Sequence, residues 1–497
     1  MAFRNLLLHL ITLFTLSCTV SAQLASARVI DTKTKESVPY ATIQFGEHRG
    51  TISNEEGRFS FDLEVMKSQH DSIYISSMGY EKTGFSLSDG LDSLLRLEPK
   101  PIELRGVYLF DNELSVSEII EKVKERIPQN YNTAPVKQRL FLRTSEYNKI
   151  RKMEIEFKES TIEELNKKFI DSVLSVLPRG ANYFTESLAD FYHTPGEQRL
   201  HIEKAAELYD KNNEGSMEAL SKKLEKIFRD NVKPNSYLKI KSGIFGQKVQ
   251  VDSILDNSEE AAEIGQELKE PEKNYYLGHK KRQLSDLYSA LFFNEATRLN
   301  FIKKSGRFDF SLRGFTEIDG AAVYVIEFTP KRSEDFKGTI FVNLEDFAVM
   351  RVDYINVKSL RRIRLLGFMY EETDDRGTTI FAKGITGKYD LRFIEQVFGK
   401  IMGVDRPLKV IEKNKFVKGR RRQNELSLGL DIVNQQTEKF ELVVFACDPI
   451  TPTELNGVTE NDTIKATYLS RYDPEFWKGY NIMEPNEAIR EFTVTEE

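Results

Sequence analysis

The residues that might perform chemistry are few and badly spaced for it. Beyond His9, histidines stand at positions 48, 70, 193, 201 and 279. None forms His-Glu-x-x-His or a His-x-x-Glu pair, the spacings that put two zinc ligands on one helix face or turn. The closest pairing with a carboxylate is His201-Ile202-Glu203, which reads as a solvated surface pair. Ser236-Tyr237-Leu238-Lys239 fits Ser-x-x-Lys, and Lys241-Ser242-Gly243 follows at once. A serine–lysine acyl-transfer site needs the first motif at a helix start and the second on a distant strand. Here both crowd one segment after Pro234 that reads as a strand. No Gly-x-Ser-x-Gly, phosphate-binding loop or dinucleotide-binding glycine series occurs. Cys447 follows an apolar stretch and reads as a buried, inert thiol. Glu154, Glu156, Glu159, Glu163 and Glu164 read as a solvated face and not as an acid–base pair. These patterns predict a protein that is no enzyme, with no cofactor and no metal.

Charge is uneven at two places. Lys413, Lys415, Lys418, Arg420, Arg421 and Arg422 cluster around Gly419, and Arg361, Arg362 and Arg364 form a second group. Two readings stay open: a solvated hairpin tip, or docking to anionic lipid, lipopolysaccharide or an acidic partner patch. Globally, 71 basic and 77 acidic residues give −6, with no push toward nucleic acid.

Compartment is set by the first residues. Arg4, the apolar run Leu6 to Leu16, and Val20-Ser21-Ala22 before Gln23 have the order of a secretory signal peptide over 1–22. Cys18 offers lipidation as a rival; of Thr15, Leu16 and Ser17, only Ser17 suits it. No stretch reaches the about 20 apolar residues of a membrane-crossing helix. An exported chain with Cys447 alone after Ala22 must rely on its core and not on disulfides. A 40% hydrophobic share with 33 Phe and 20 Tyr fits a β-rich core.

The elements follow from periodicity. Ala41–Phe45, Arg58–Leu63, Ser72–Ser76 and Leu91–Leu97 read as strands of an antiparallel sandwich, with turns at Gly46, Asn54–Gly57, Met78-Gly79 and Asp89-Gly90. Ser117–Ile127 reads as a helix stopped by Pro128, and Met217–Phe228 as a second. Asn166–Leu177 and Tyr183–Tyr192 are ambiguous. Gln138–Tyr147, Met153–Phe157, Arg307–Phe315, Ala321–Phe328, Gly338–Leu344, Phe347–Tyr354, Thr379–Leu391, Leu408–Val417 and Phe440–Ala446 read as strands of an antiparallel meander.

Val29-Ile30-Asp31, Val38-Pro39-Tyr40-Ala41-Thr42-Ile43, Gly50-Thr51, Asn54-Glu55-Glu56-Gly57-Arg58-Phe59 and Ile75-Ser76-Ser77-Met78-Gly79-Tyr80 together resemble the carboxypeptidase-regulatory-like domain over about 80 residues. The resemblance implies a transthyretin-like β-sandwich of a Gram-negative envelope protein, with no peptidase activity. Its motif residues are structural: Gly57 takes positive φ with Asn54 capping the turn, Gly79 turns the chain, and Phe59 and Tyr80 serve core or rim. Ile119-Ile120, Ile127-Pro128, Asn130-Tyr131, Val323–Lys331 and Gly338–Val342 resemble uncharacterised proteins that carry the same domain.

The expected organisation is signal peptide 1–22, sandwich 23–107, mixed helix and strand 108–300, antiparallel sheet 301–450 continuous with it, and a tail 451–497 on the sheet. The fold class is mainly β with an α+β second part. The expected role is a non-catalytic binding or scaffold protein of the periplasm or the periplasmic face of the outer membrane. Its partners would be an envelope protein, lipid or cell-wall polymer, and not nucleic acid. A lipid or lipoprotein carrier would instead need an apolar cavity. A hydrolase would need His193, His201 and Glu203 to converge with other carboxylates.

Overall fold

The computed structural model describes residues 24–46, 49–62, 71–88, 90–100, 114–233, 236–251, 275–416 and 422–494. The expected signal peptide, Cys18, His48, His70, Lys418, Arg420, Arg421 and the expected 107/108 boundary lie outside these residues. Strand makes up 53% and helix 17%, so the chain is mainly β.

The first module holds seven short strands: β1 (Leu24–Asp31), β2 (Thr42–Gln44), β3 (Gly50–Ile52), β4 (Arg58–Asp62), β5 (Ser72–Ser76), β6 (Thr83–Ser86) and β7 (Leu94–Leu97). They form two sheets, ordered β4-β1-β7 and β3-β2-β5-β6. Alternation turns Val29, Ile43, Phe59, Phe61, Ile73, Ile75 and Leu97 into one shared core. One pair corrects the antiparallel expectation, because β1 and β7 run parallel. A parallel pair needs a long crossover, which the intervening strands supply. Gly57 has φ 72°, and a Cβ there would sit 2.5 Å from the Val29 carbonyl oxygen, so only glycine fits. Asn54 Oδ1 accepts from the Glu56 and Arg58 amides, closing the turn. Gly79 has φ 81°, and the Tyr80 hydroxyl donates to Asp31 Oδ2.

The second part opens with α1 (Val116–Asn130), capped by a Ser115–Glu118 box, with Ile119, Ile120 and Val123 inward. Pro128 does not stop it. The proline removes only a bond to the Lys124 carbonyl, which lies on the exposed side, and Tyr131 N–H still reaches Ile127. Then come β8 (Val136–Ser160), α2 (Lys167–Val176), β9 (Gly180–His193), β10 (Gln198–Tyr209), α3 (Asn212–Asn231), β11 (Ser236–Ser242), β12 (Phe245–Gln250) and α4 (Tyr275–Ser289). The chain continues through β13 (Phe308–Ile318), β14 (Ala321–Pro330), β15 (Phe336–Asn343), β16 (Val349–Asn356), β17 (Arg361–Leu365), β18 (Phe368–Lys383), β19 (Tyr389–Asn414), β20 (Arg422–Pro449) and β21 (Thr467–Leu469).

All of these strands join one 14-stranded sheet, with the path β13-β14-β15-β16-β18-β19-β20-β8-β9-β10-β21. β11 also pairs with β19, while β12 and β17 hang on the outside. β8, β19 and β20 carry 25, 26 and 28 residues, so the longest spans about 90 Å. Two expected strands, Gln138–Tyr147 and Met153–Phe157, are one. Thr379–Leu391 is instead broken by a turn at Gly384–Lys388, where Gly387 has φ 76°.

Alternation gives the sheet two faces. Leu140, Leu142, Leu442 and Val444 meet α1, α4 and the Leu291–Ile302 stretch. Phe141, Val443 and Phe445 meet Trp477, Ile482, Met483 and Ile489 of the C-terminal segment, together with Ile52 of the first module. At the far end, α2 and α3 cover Phe157, Leu408, Leu428 and Leu238. The turn of the first module is tied to the C-terminal segment: Asn54 Nδ2 donates to the Pro485 carbonyl at 2.9 Å, and Glu56 accepts from the Glu487 amide and from Arg490. Glu55 accepts from Asn486 and from Lys439 of β20.

Candidate functional site

Each group read from the sequence as a possible reactant is held in an unreactive setting. Ser236 Oγ donates to Glu412 at 2.7 Å, and Lys239, three residues along the same strand, points to the other face. Cys447 is buried, and burial with Asp390 nearby pushes its thiol up to about 12, so it stays protonated. His193 stacks on Phe191, and its Nε2 lies 3.0 Å from Gln138 Oε1. Burial pulls it down to about 4, leaving a neutral ring. His201 is exposed across from Asp190, and Glu203 pairs with Arg139. His193, His201 and Glu203 therefore do not converge. No group of three His, Cys, Asp or Glu among the described residues could hold a metal ion. Glu154, Glu156 and Glu159 bridge to Lys152, Lys158 and Lys409 on the surface.

The first basic cluster lies where β19 returns into β20, with Lys413 paired across from Arg422. Arg422 and Lys409 both pair with Glu425, a carboxylate 1% exposed. A buried acid that the sequence reading overlooked thus offsets part of this cluster. Lys415 lies just beyond β19 on the same tip.

The second basic group has different surroundings. β11–β12 turns at Gly243-Ile244, with Gly243 at φ 61°, and β17–β18 turns at Leu366-Gly367, with φ 49° and 80°. Both hairpins lie along the same edge of β19, and their turns meet beside Arg406. Its guanidinium sits 5.0 Å from the Phe245 ring centre and 4.9 Å from that of Phe368. Its nitrogens donate to the Ser242 hydroxyl and carbonyl and to the Leu366 carbonyl. Arg406 is buried, but the side chains around it are not. Ile244 is 83% exposed, Leu365 64%, Leu366 50%, and Phe245 and Phe368 49% each. Residues 236–250 and 361–370 add Lys239, Lys241, Lys248, Arg361, Arg362 and Arg364, with no acid. Glu371, just past the second segment, ties Arg362 and Arg364. An apolar tip with a basic collar suits the boundary of an anionic bilayer, where apolar groups enter and long cations stay at the headgroups.

Leu366 marks the cost of this arrangement. The first position of a two-residue type I′ turn favours Asn, Asp or Gly, because a Cβ with positive φ is strained. Leu366→Asn should therefore raise the unfolding free energy by about 0.5–1 kcal/mol in urea titration. A loss of stability would show that the leucine is held by packing.

Two cavities accompany these surfaces. One, of about 380 Å³, lies between β2 and β3 of the first module and the large sheet. The other, of about 520 Å³, is lined by Tyr131, Phe191, Tyr288, Phe293, Phe381 and Leu391 at the end of α4. α1, α4 and Leu291–Ile302 cover much of this sheet face and leave the second cavity at its end. No helix among the described residues is long and apolar enough to cross a membrane.

No protein-family model matches the chain, and no curated protein does. Solved structures that match include MucB in complex with MucA(peri), at 8% identity, covering 64% of this chain and 94% of that one, with a TM-score of 0.16. Another is the Pseudomonas aeruginosa MucA/MucB complex, at 7% identity, covering 65% and 92%, with a TM-score of 0.16. Scores this low define no common architecture.

Proposed function

We propose that this chain is an exported, non-catalytic binding and scaffold protein of a Gram-negative cell envelope, which docks on an anionic membrane surface through its paired hairpin tips. The N-terminal module is read as a carboxypeptidase-regulatory-like, transthyretin-like sandwich, and residues 1–22 as the leader that exports it. The observation that carries the docking is the Arg406 clamp, which holds Ile244, Phe245, Leu365, Leu366 and Phe368 outward beside Lys239, Lys241, Lys248 and Arg361, while Arg362 and Arg364 are tied to Glu371. The non-catalytic reading is supported by the protonated Cys447, the neutral His193 and the divided Ser236 and Lys239.

The test is co-sedimentation of the full exported chain with vesicles of phosphatidylglycerol or phosphatidylcholine. Binding should favour the anionic vesicles and weaken with salt. Ile244→Asp should weaken it about tenfold or more, because burying one such side chain is worth about 1.5–3 kcal/mol. Equal binding to both lipids, or an unaffected variant, would assign the tips to a protein or polymer partner instead.

A further inference from the structure

The cavity beneath the first module contains an arginine that the fold has aimed but not paired. On β18 and β19, Ile380 faces Phe393 and Phe381 faces Leu391, so Arg392 is the extra residue of a β-bulge. A bulge bends its strand and redirects one side chain out of the ladder. Here the neighbours Leu391 and Phe393 enter the two cores, and Arg392 is left to line the cavity. Among the described residues, no hydrogen bond or ion pair holds its guanidinium. Asp390, Asp319 and Asp448 act on it only through space, and burial pulls it below the ordinary arginine value. Asp319 at the cavity wall already accepts from Ser76 Oγ at 2.6 Å. Arg49 and Lys82 approach from the first module, while Ile380, Met350 and Val443 form apolar wall. A guanidinium stays charged in a protein, and the half-buried Arg392, with no carboxylate of the described residues in hydrogen-bonding or ion-pair contact, keeps its donors free for an anion that enters the cavity.

We infer that this cavity is a binding site for a small amphiphilic organic anion, with its carboxylate or phosphate head on Arg392 and its apolar body against Ile380 and Val443. About 380 Å³ is within the range of small-molecule pockets. The planar fork of arginine can grip either head with two parallel hydrogen bonds. The site is separate from the hairpin tips, so it stands or falls apart from membrane docking.

Isothermal titration of the full exported chain with octanoate, octyl phosphate and neutral hexanol tests it, and the two anions separate a carboxylate source from a phosphate source. At least one anion should bind saturably, and hexanol should bind more weakly. Arg392→Met should reduce the anion's affinity about tenfold or more, and Arg392→Lys by less, as expected for loss of a charge-assisted bond. Ala321→Phe, which adds bulk at the cavity wall, should block binding while leaving Arg392 in place. Far-ultraviolet circular dichroism and melting identify any variant that has not folded, and the Ala321 variant then decides. No saturable binding of either anion, or unchanged affinity in folded Arg392→Met, overturns the assignment.

Discussion

Arg143→Ala is expected to lower the unfolding free energy by about 3–5 kcal/mol, the cost of breaking a buried ion pair by removing one partner. Arg143 has no exposed surface, and neither has Glu186. Its Nε and one terminal nitrogen contact Glu186 Oε1 at 2.8 and 2.7 Å. The terminal nitrogens also donate to the carbonyls of Met483 and Glu484, at 2.7 and 3.0 Å. Glu186 Oε2 accepts from the Trp477 indole at 2.7 Å. One guanidinium thus joins β8, β9 and the C-terminal segment, which in turn receives the Asn54–Gly57 turn of the first module. Alanine would leave Glu186 a buried carboxylate with no cation and two carbonyls unbonded, while Glu441 keeps its pair with Lys439. Urea unfolding measures the loss. Arg143→Met with Glu186→Met should recover part of it, because no uncompensated charge then remains. A loss below about 1 kcal/mol for the single variant would mean that the network is not what holds the segment down.

The second large effect is a stability that climbs with pH above neutrality. Lys280 on α4 is fully buried, donating to Thr185 Oγ1 at 2.6 Å and to Gln283 Oε1 at 3.0 Å. Burial pushes its ammonium down to about 7, partly opposed by Glu146 and Glu207. In the unfolded chain the same group holds its proton to about 10.4. Between those values the unfolded state binds more protons than the folded one. Stability therefore rises with pH, by up to about 1.4 kcal/mol per unit. Below about 7 both states are protonated, the penalty is at its full size, and this slope vanishes. Unfolding free energies of the protein and of Lys280→Met should diverge across the window, with the variant lacking the rise. Parallel curves would place the proton elsewhere.

What the sequence determines by itself is local. Alternation at Phe59–Phe61 and Ile73–Ile75 names strands and their inward faces, and Ser115 with Glu118 starts α1. Asn54 and Gly57 specify a turn because the backbone there needs positive φ and a side-chain acceptor. The ribbon of β8, β19 and β20 was only partly legible. Its middle is half-exposed on both faces, so the apolar alternation fades where the strands continue. α4 carries a helical signal in its sequence, the inward Leu277, Leu284 and Leu287. Only the tertiary structure decided the sites. Arg406 lies more than 150 residues from Phe245, Glu425 neutralises Lys409 and Arg422 from a buried position, and Arg392 became available through a bulge. Period and propensity say which face a side chain takes. Which distant strand lies beside it depends on pairing across the whole sheet, and that pairing puts the two apolar turns beside one arginine and leaves another facing a cavity.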